Sequence, residues 1–337
     1  MFQPNDENAL AILNISKVRY EVLDNTFEGL DNSKLNIIVD MYKLFEGFRH
    51  EYLKINSNVI YENKLDHNLV AEIMNWVGHY NNYFEQKNCK VNFYLIYGHK
   101  DEFIDDPLWN KKYDEYSKFL SFVIDKRLKT LTELTSNIFV INTNSSELMT
   151  KNVDRASFLY HYKFPKGIKL LITDDIYLMQ FVTNKFSIMR VRNDNCTILN
   201  YTNGVLNSLG KDYKNGNLYS INDEYIKYYI ALMGANGLEP IHTKIKKKAV
   251  LDLLNSHDFD KDTIYSHFSS KLDVTEEEFN KELNRRLKII DISRFSNLSE
   301  QLQHQIITQT KNNIEDKKFL AELNNQFFGN SIKLNLI

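Results

Sequence analysis

Apolar residues gather in four short runs before residue 175 and then spread into a helical rhythm. The first run is Leu35–Asn36–Ile37–Ile38–Val39, closed by Asp40. Runs of β-branched and aliphatic residues this short predict buried strands rather than helices. The second is Val91 to Tyr97, followed by Gly98; the third is Ile138 to Ile141, followed by Asn142 and Thr143. Between Val153 and Phe164 the spacing turns helical, and Pro165–Lys166–Gly167 then leads into a fourth run, Ile168 to Ile172, which closes on Thr173–Asp174–Asp175. Strand alternating with helix predicts a parallel sheet with right-handed crossovers, an α/β fold. A carboxylate at the carboxyl end of such a strand stands where open α/β sheets place their ligand sites.

Residues 107–134 read as one long charged and aromatic helix. It carries Lys111, Lys112, Lys118, Lys126 and Arg127 among Trp109, Tyr113 and Tyr116. From about residue 222 onward the pattern is nearly all helix, with a strand signal only at Lys288–Ile292. This divides the chain into an extension over 1–34, an α/β core over 35–220 and a helical region over 221–337.

Composition agrees with a helix-rich mixed fold: in 337 residues there are 11 Gly and 4 Pro, few enough to leave long elements uninterrupted. Two cysteines, Cys89 and Cys196, are too few for a disulfide scaffold or a zinc site. With no secretory signal and no long apolar run, the expectation is a soluble chain in a reducing cytoplasm, with no membrane partner. A formal net charge of −2 means that nucleic-acid binding has to rest on local basic clusters. The sharpest of these is Lys244, Lys246, Lys247 and Lys248, at the predicted start of a helix where backbone amides and cations together attract phosphate. Nine histidines show no metal-ligand spacing, and His242 reads as structural or as a backbone contact. No serine–histidine–acid or cysteine–histidine arrangement stands out. The loop around Gly234 and Gly237 lacks the lysine and hydroxyl pattern of a nucleotide cradle, which excludes an ATPase reading.

Four segments, in order, resemble the 5′-nuclease (flap endonuclease) superfamily with its PIN-like fold. They are IIVDMYKLF; KNVDRASFLYHYKF with IKLLITDDIYLMQF; YYIALMGANGLEPIHTKIKKKAVLDLL; and FNKELNRRLKIIDISRFSN with the tail FFGNSIKLNLI. The last is most similar to the branch of phage replication nucleases that includes the ribonuclease H of the T-even phages. The resemblance implies a PIN-like parallel sheet flanked by helices, a helical arch at about 107–134, and a helix-turn-helix element that grips duplex backbone in the C-terminal region. It also implies that Asp40, Asp154 and Asp175 fall on metal-ligand positions.

Members of that superfamily cut phosphodiesters with two divalent ions held by many carboxylates. This chain departs from the pattern, with Tyr97, Asn152, Arg155 and Tyr177 at acidic positions and Gly234–Glu239 where two aspartates are expected. At most one Mg²⁺ site survives, on Asp40, Asp154 and Asp175, with Asp174, Asp101 and Glu102 as substitutes in a shifted register. A hydrogen-bonded or Arg155-paired structural role for the three aspartates stands beside that reading. The arch likewise has two readings, a single-strand platform with stacking aromatics or a solvated amphipathic helix.

Three functions follow. The first is a nuclease-deficient protein that binds flapped, forked or primed DNA, or an RNA–DNA hybrid, in phage replication. The second is an active Mg²⁺-dependent 5′→3′ exonuclease and flap endonuclease that removes RNA primers. The third is a protein-interaction module reusing the fold. The resemblance adds a monomer, the cytoplasm of an infected bacterium, and partnership with a single-stranded-DNA-binding protein.

Overall fold

The structure is a computed structural model, and it describes residues 34–41, 80–97, 137–142, 155–161, 168–173, 175–183, 186–192, 195–202, 205–210, 223–234, 239–256, 259–297, 300 and 303–304. The arch at 107–134, the extension over 1–33 and the tail after residue 304 lie outside the described residues. The chain divides into two compact units. One is Met1–Asp174 with Met189–Cys196 and Ser299–Ile337; the other is Asp175–Ile188 with Thr197–Leu298.

In the first unit the four apolar runs form strands β1 (Lys34–Asp40), β2 (Lys90–Tyr97), β3 (Ile138–Asn142) and β4 (Ile168–Ile172). They pair in parallel, β1 with β2 and β4, and β2 with β3. β1 is therefore central, and every residue from Leu35 to Asp40 is buried. A parallel strand covered on both faces is apolar along its length instead of alternating, which explains the continuous run. Helical residues Tyr80, Tyr83 and Phe84 are buried, as are Ala156, Phe158 and Leu159 of helix α1 (Arg155–His161). Tyr94 stacks on Phe139 with ring centroids 5.1 Å apart. Burial pushes the Tyr94 phenol up to about 12.

The helix that precedes β2 ends in a Schellman motif. The Cys89 N–H donates to Phe84 O at 2.9 Å, the Asn88 N–H donates to Glu85 O at 3.0 Å, and Asn88 takes φ 56°. Asparagine tolerates that left-handed position, so a turn forms there without glycine.

Strands β5 (Phe186–Arg192), β6 (Asn195–Thr202) and β7 (Val205–Gly210) extend the sheet, giving the order β3-β2-β1-β4-β5-β6-β7. β6 and β7 pair antiparallel, from Thr202↔Val205 to Thr197↔Gly210. A two-residue connection permits nothing else, because a parallel crossover needs a dozen or more residues.

The helices of the second unit are α2 (Ile226–Met233), α3 (Lys247–Leu254), α4 (Ile264–Phe268) and α5 (Glu276–Ile290). α5 opens on a capping box in which Thr275 and Glu278 satisfy each other's backbone N–H groups. Its buried face is Phe279, Leu283, Arg286 and Ile290, and α5 packs against α2. The strand expected at Lys288–Ile292 does not form. Ile290 is the last buried residue of α5, and a 3-10 helix runs from Ile292 to Asn297. Four apolar or long side chains in succession are as compatible with a helix end as with a strand, and packing of Ile290 decides the matter.

Candidate nucleic-acid interface

α2 stops at Gly234, which has φ 77° and whose N–H donates to Ile230 O at 2.9 Å. Only glycine adopts that backbone without cost, so the chain turns sharply out of the helix here. It comes back at Ile241, whose N–H donates to Leu232 O at 2.9 Å. A turn closed by the Ile245 N–H on His242 O at 3.1 Å then delivers the chain to α3. Ile245 and Val250 are both buried, at the N′ and N4 positions that form a hydrophobic staple and fix how a chain enters its helix.

This buried anchor separates Lys244 from Lys246, Lys247 and Lys248, and all four lysines are exposed. Lys246 is the N-cap residue of α3, in extended conformation, and no side chain caps that end. Its Nζ donates to Thr243 O at 3.2 Å. A helix start that carries cations in place of the usual Ser, Thr or Asp cap is poor for isolated helix stability, since positive charge there opposes the helix dipole. The arrangement suits an anion supplied from outside, which would meet backbone N–H groups and ammonium groups together.

The loop is held from below by Arg286. This guanidinium, 8% exposed, donates through Nη1 to Ala231 O at 3.2 Å and to Glu239 O at 2.6 Å. Its Nε donates to Glu282 Oε1 at 2.7 Å. Glu282 also accepts two bonds from Arg285, the main reason its carboxyl lies well down at about 2. Arg286 thus ties the last turn of α2 and the start of the 239–246 loop to α5.

In the first unit, Asp40 ends β1 with no solvent exposure, and Thr173 Oγ1 donates to its Oδ2 at 2.7 Å. Asp40 stands opposite Ile96 on β2, one residue before Tyr97. The described ends of β1 to β4 carry Asp40, Tyr97, Asn142 and Ile172–Thr173, a single carboxylate among four strand ends. Among the described residues no group of three or more His, Cys, Asp or Glu could hold a metal ion.

Thr173→Val removes the hydroxyl that satisfies the buried Asp40 and keeps the shape. The expected loss is about 1 kcal/mol, the net contribution of one intramolecular hydrogen bond. Urea unfolding of the two proteins checks this, with an unchanged midpoint as the contrary result.

Asp175, in the second unit, is 1% exposed and caps the 3-10 helix Ile176–Phe181, accepting from the Tyr177 N–H at 3.1 Å. Asp154, Asp174, Asp101 and Glu102 lie outside the described residues, as do Lys111, Lys112, Lys118, Lys126 and Arg127. Of the predicted site residues, the structure therefore brings together Lys244, Lys246, Lys247 and Lys248 on one loop and helix start. Sequence reasoning missed Arg286 and the Asp273 partner of His242.

No family profile and no curated protein sequence matches the chain. Solved structures do. The chain is similar to a bacteriophage T5 flap endonuclease in a pseudo-enzyme–product complex with DNA and metal ions, at 12% identity and a TM-score of 0.42, over 83% of this chain and 99% of that one. A second T5 structure, co-crystallized with metal ions, matches at 13% identity and a TM-score of 0.41, over 84% and 99%. The catalytic core of Rad2 in complex with DNA substrate matches at 12% identity and a TM-score of 0.34, over 86% and 84%. At TM-scores below 0.5 these likenesses carry no argument, so the functional reading rests on the residues and geometry of this chain. Among the described residues no helix is long and apolar enough to cross a membrane.

Proposed function

We propose that this chain is a protein of 5′-nuclease fold that binds flapped, forked or primed DNA in phage replication and lacks an intact two-ion hydrolytic centre. The observation that carries the reading is the exposed run Lys244, Lys246, Lys247 and Lys248, presented by a staple-anchored loop at the uncapped start of α3. In this reading α2, the 234–246 loop and α3 form the helix-turn-helix element, and phosphates of one strand lie across the lysines. Phosphate contacts set affinity and position and carry no base information, so recognition follows the shape of the junction. Lys111, Lys112, Lys118, Lys126 and Arg127 would extend the contact to single-stranded DNA. A monomer, working in the cytoplasm of an infected bacterium beside a single-stranded-DNA-binding protein, is the setting this reading takes from the sequence resemblance.

The residues Tyr97, Asn152, Arg155 and Tyr177, at positions where the resemblance expects acids, support the nuclease-deficient form of the reading. In the alternative, an active exonuclease acting on primers or an RNA–DNA hybrid, Asp40, Asp154 and Asp175 would hold a Mg²⁺ ion. The hydrogen bond from Thr173 to a fully buried Asp40 favours the structural role for that aspartate.

A titration of labelled 5′-flap, fork and blunt duplexes, repeated with Mg²⁺ or Mn²⁺, tests the proposal. Tighter binding of flap and fork than of blunt duplex, with no cleavage, is expected. Cleavage would restore the enzyme, and no binding of any of the three would leave a protein-interaction module.

A further inference from the structure

One carboxylate sits inside the basic loop. Asp273, on the exposed segment just before the Thr275 cap of α5, lies with Oδ1 2.5 Å from His242 Nε2 and Oδ2 3.3 Å from Lys244 Nζ. The Asp273 side chain is 66% exposed, whereas that of His242 is only 14% exposed. The Lys244 N–H donates to His242 Nδ1 at 3.3 Å, and this bond assigns the ring proton to Nε2, facing Asp273.

Two donors from one turn therefore each take one oxygen of a single anionic group. A phosphodiester offers the same recognition pattern, two non-bridging oxygens sharing one negative charge, and it accepts hydrogen bonds from the same donors. Bonding to His242, then to its own backbone N–H and to Lys244, holds the Asp273 carboxyl below the usual carboxylate range, so the occupant is ionised at neutral pH. Its backbone neighbours are tied down, since Tyr265 Oη donates to Val274 O at 3.1 Å and Thr275 is locked in the capping box. Vacating the spot thus needs only rotation of the exposed Asp273 side chain.

We propose that His242 Nε2 and Lys244 Nζ form a two-point phosphodiester site which Asp273 occupies as an internal competitor until nucleic acid displaces it. The inference rests on the reading of the lysine loop as the nucleic-acid contact, and adds His242 to it as a hydrogen-bond donor and Asp273 as an opposing charge. It makes Lys244 a cation whose phosphate contact requires an exchange of partners.

The test is Asp273→Asn in the full chain, because asparagine keeps an acceptor for His242 and removes the charge. Two measurements are made on both proteins: a labelled duplex titrated at several salt concentrations, and the His242 imidazole signals followed by NMR while inorganic phosphate is added. Expected for the variant are affinity about two- to fivefold tighter at low salt and a log–log salt slope steeper by about one. The His242 signals should also respond at lower phosphate concentration than in the parent chain. Duplex affinity and phosphate response both unchanged or weakened, with unaltered melting temperature, overturn the site. If neither protein binds duplex but the phosphate response still sharpens in the variant, the nucleic-acid reading has failed and the anion site stands.

Discussion

Replacing Lys246, Lys247 and Lys248 together by glutamine lowers the affinity for a flapped duplex on the order of 100-fold at low salt, and flattens the log–log salt slope by about 3. Each of the three side chains is exposed, and glutamine keeps length and helix propensity. The fold of α3 therefore survives while the charge that meets phosphate is gone. Melting curves superimposable on those of the parent chain would accompany this result. A variant with parental affinity would move the contact elsewhere in the chain.

Arg286→Ala has the larger effect on stability. Arg286 is buried, its Nη1 satisfies two carbonyl oxygens, and its Nε bonds Glu282. Alanine leaves Ala231 O and Glu239 O without that donor and opens a hole beneath the loop. The cost is about 2–4 kcal/mol, the range for losing a buried multi-partner group. Glu282 keeps Arg285 as a partner, so its charge is not stranded. Urea denaturation checks the loss. Because Arg286 also fixes where the lysine loop begins, duplex affinity should fall even at temperatures where the variant is fully folded. A neutral change in both readings would show that the anchor is unnecessary.

What the sequence made legible follows from how each element is buried. β1 to β4 were located within a residue or two because parallel strands buried on both faces read as continuous apolar runs. β5 and β7 carry Ser187, Asn207 and Ser208 among their apolar residues, and β6 carries Asn195, Thr197, Asn200 and Thr202. That mixture breaks the run, so these three strands went unremarked although they lie within the predicted core. Lys288–Ile292 was misjudged because periodicity cannot separate five residues of strand from the last turn of a helix.

Among the candidate site residues, charge was legible and partnership was not. The run Lys244 to Lys248 stands out in sequence, and its exposure follows from Ile245 alone being buried within it. Arg286 occupies the apolar stripe of α5 at the seventh residue after Phe279, three before which lies Leu283. A charged residue in that register was the available signal for a buried anchor, since charges are buried only when paired. The reading of His242 as structural or backbone-contacting caught the Lys244 N–H bond. It could not reach Asp273, which is 31 residues away in sequence and brought close only by the packing of the helices.

The central claim is that the lysine loop binds nucleic-acid backbone, and the most direct measurement is the salt dependence of binding to a labelled 5′-flap duplex by the full chain. The account predicts that log affinity falls linearly with log salt with a slope of about −3 or steeper, most of it lost in the Lys246, Lys247 and Lys248 variant. A slope near zero, or the same slope in both proteins, would contradict it.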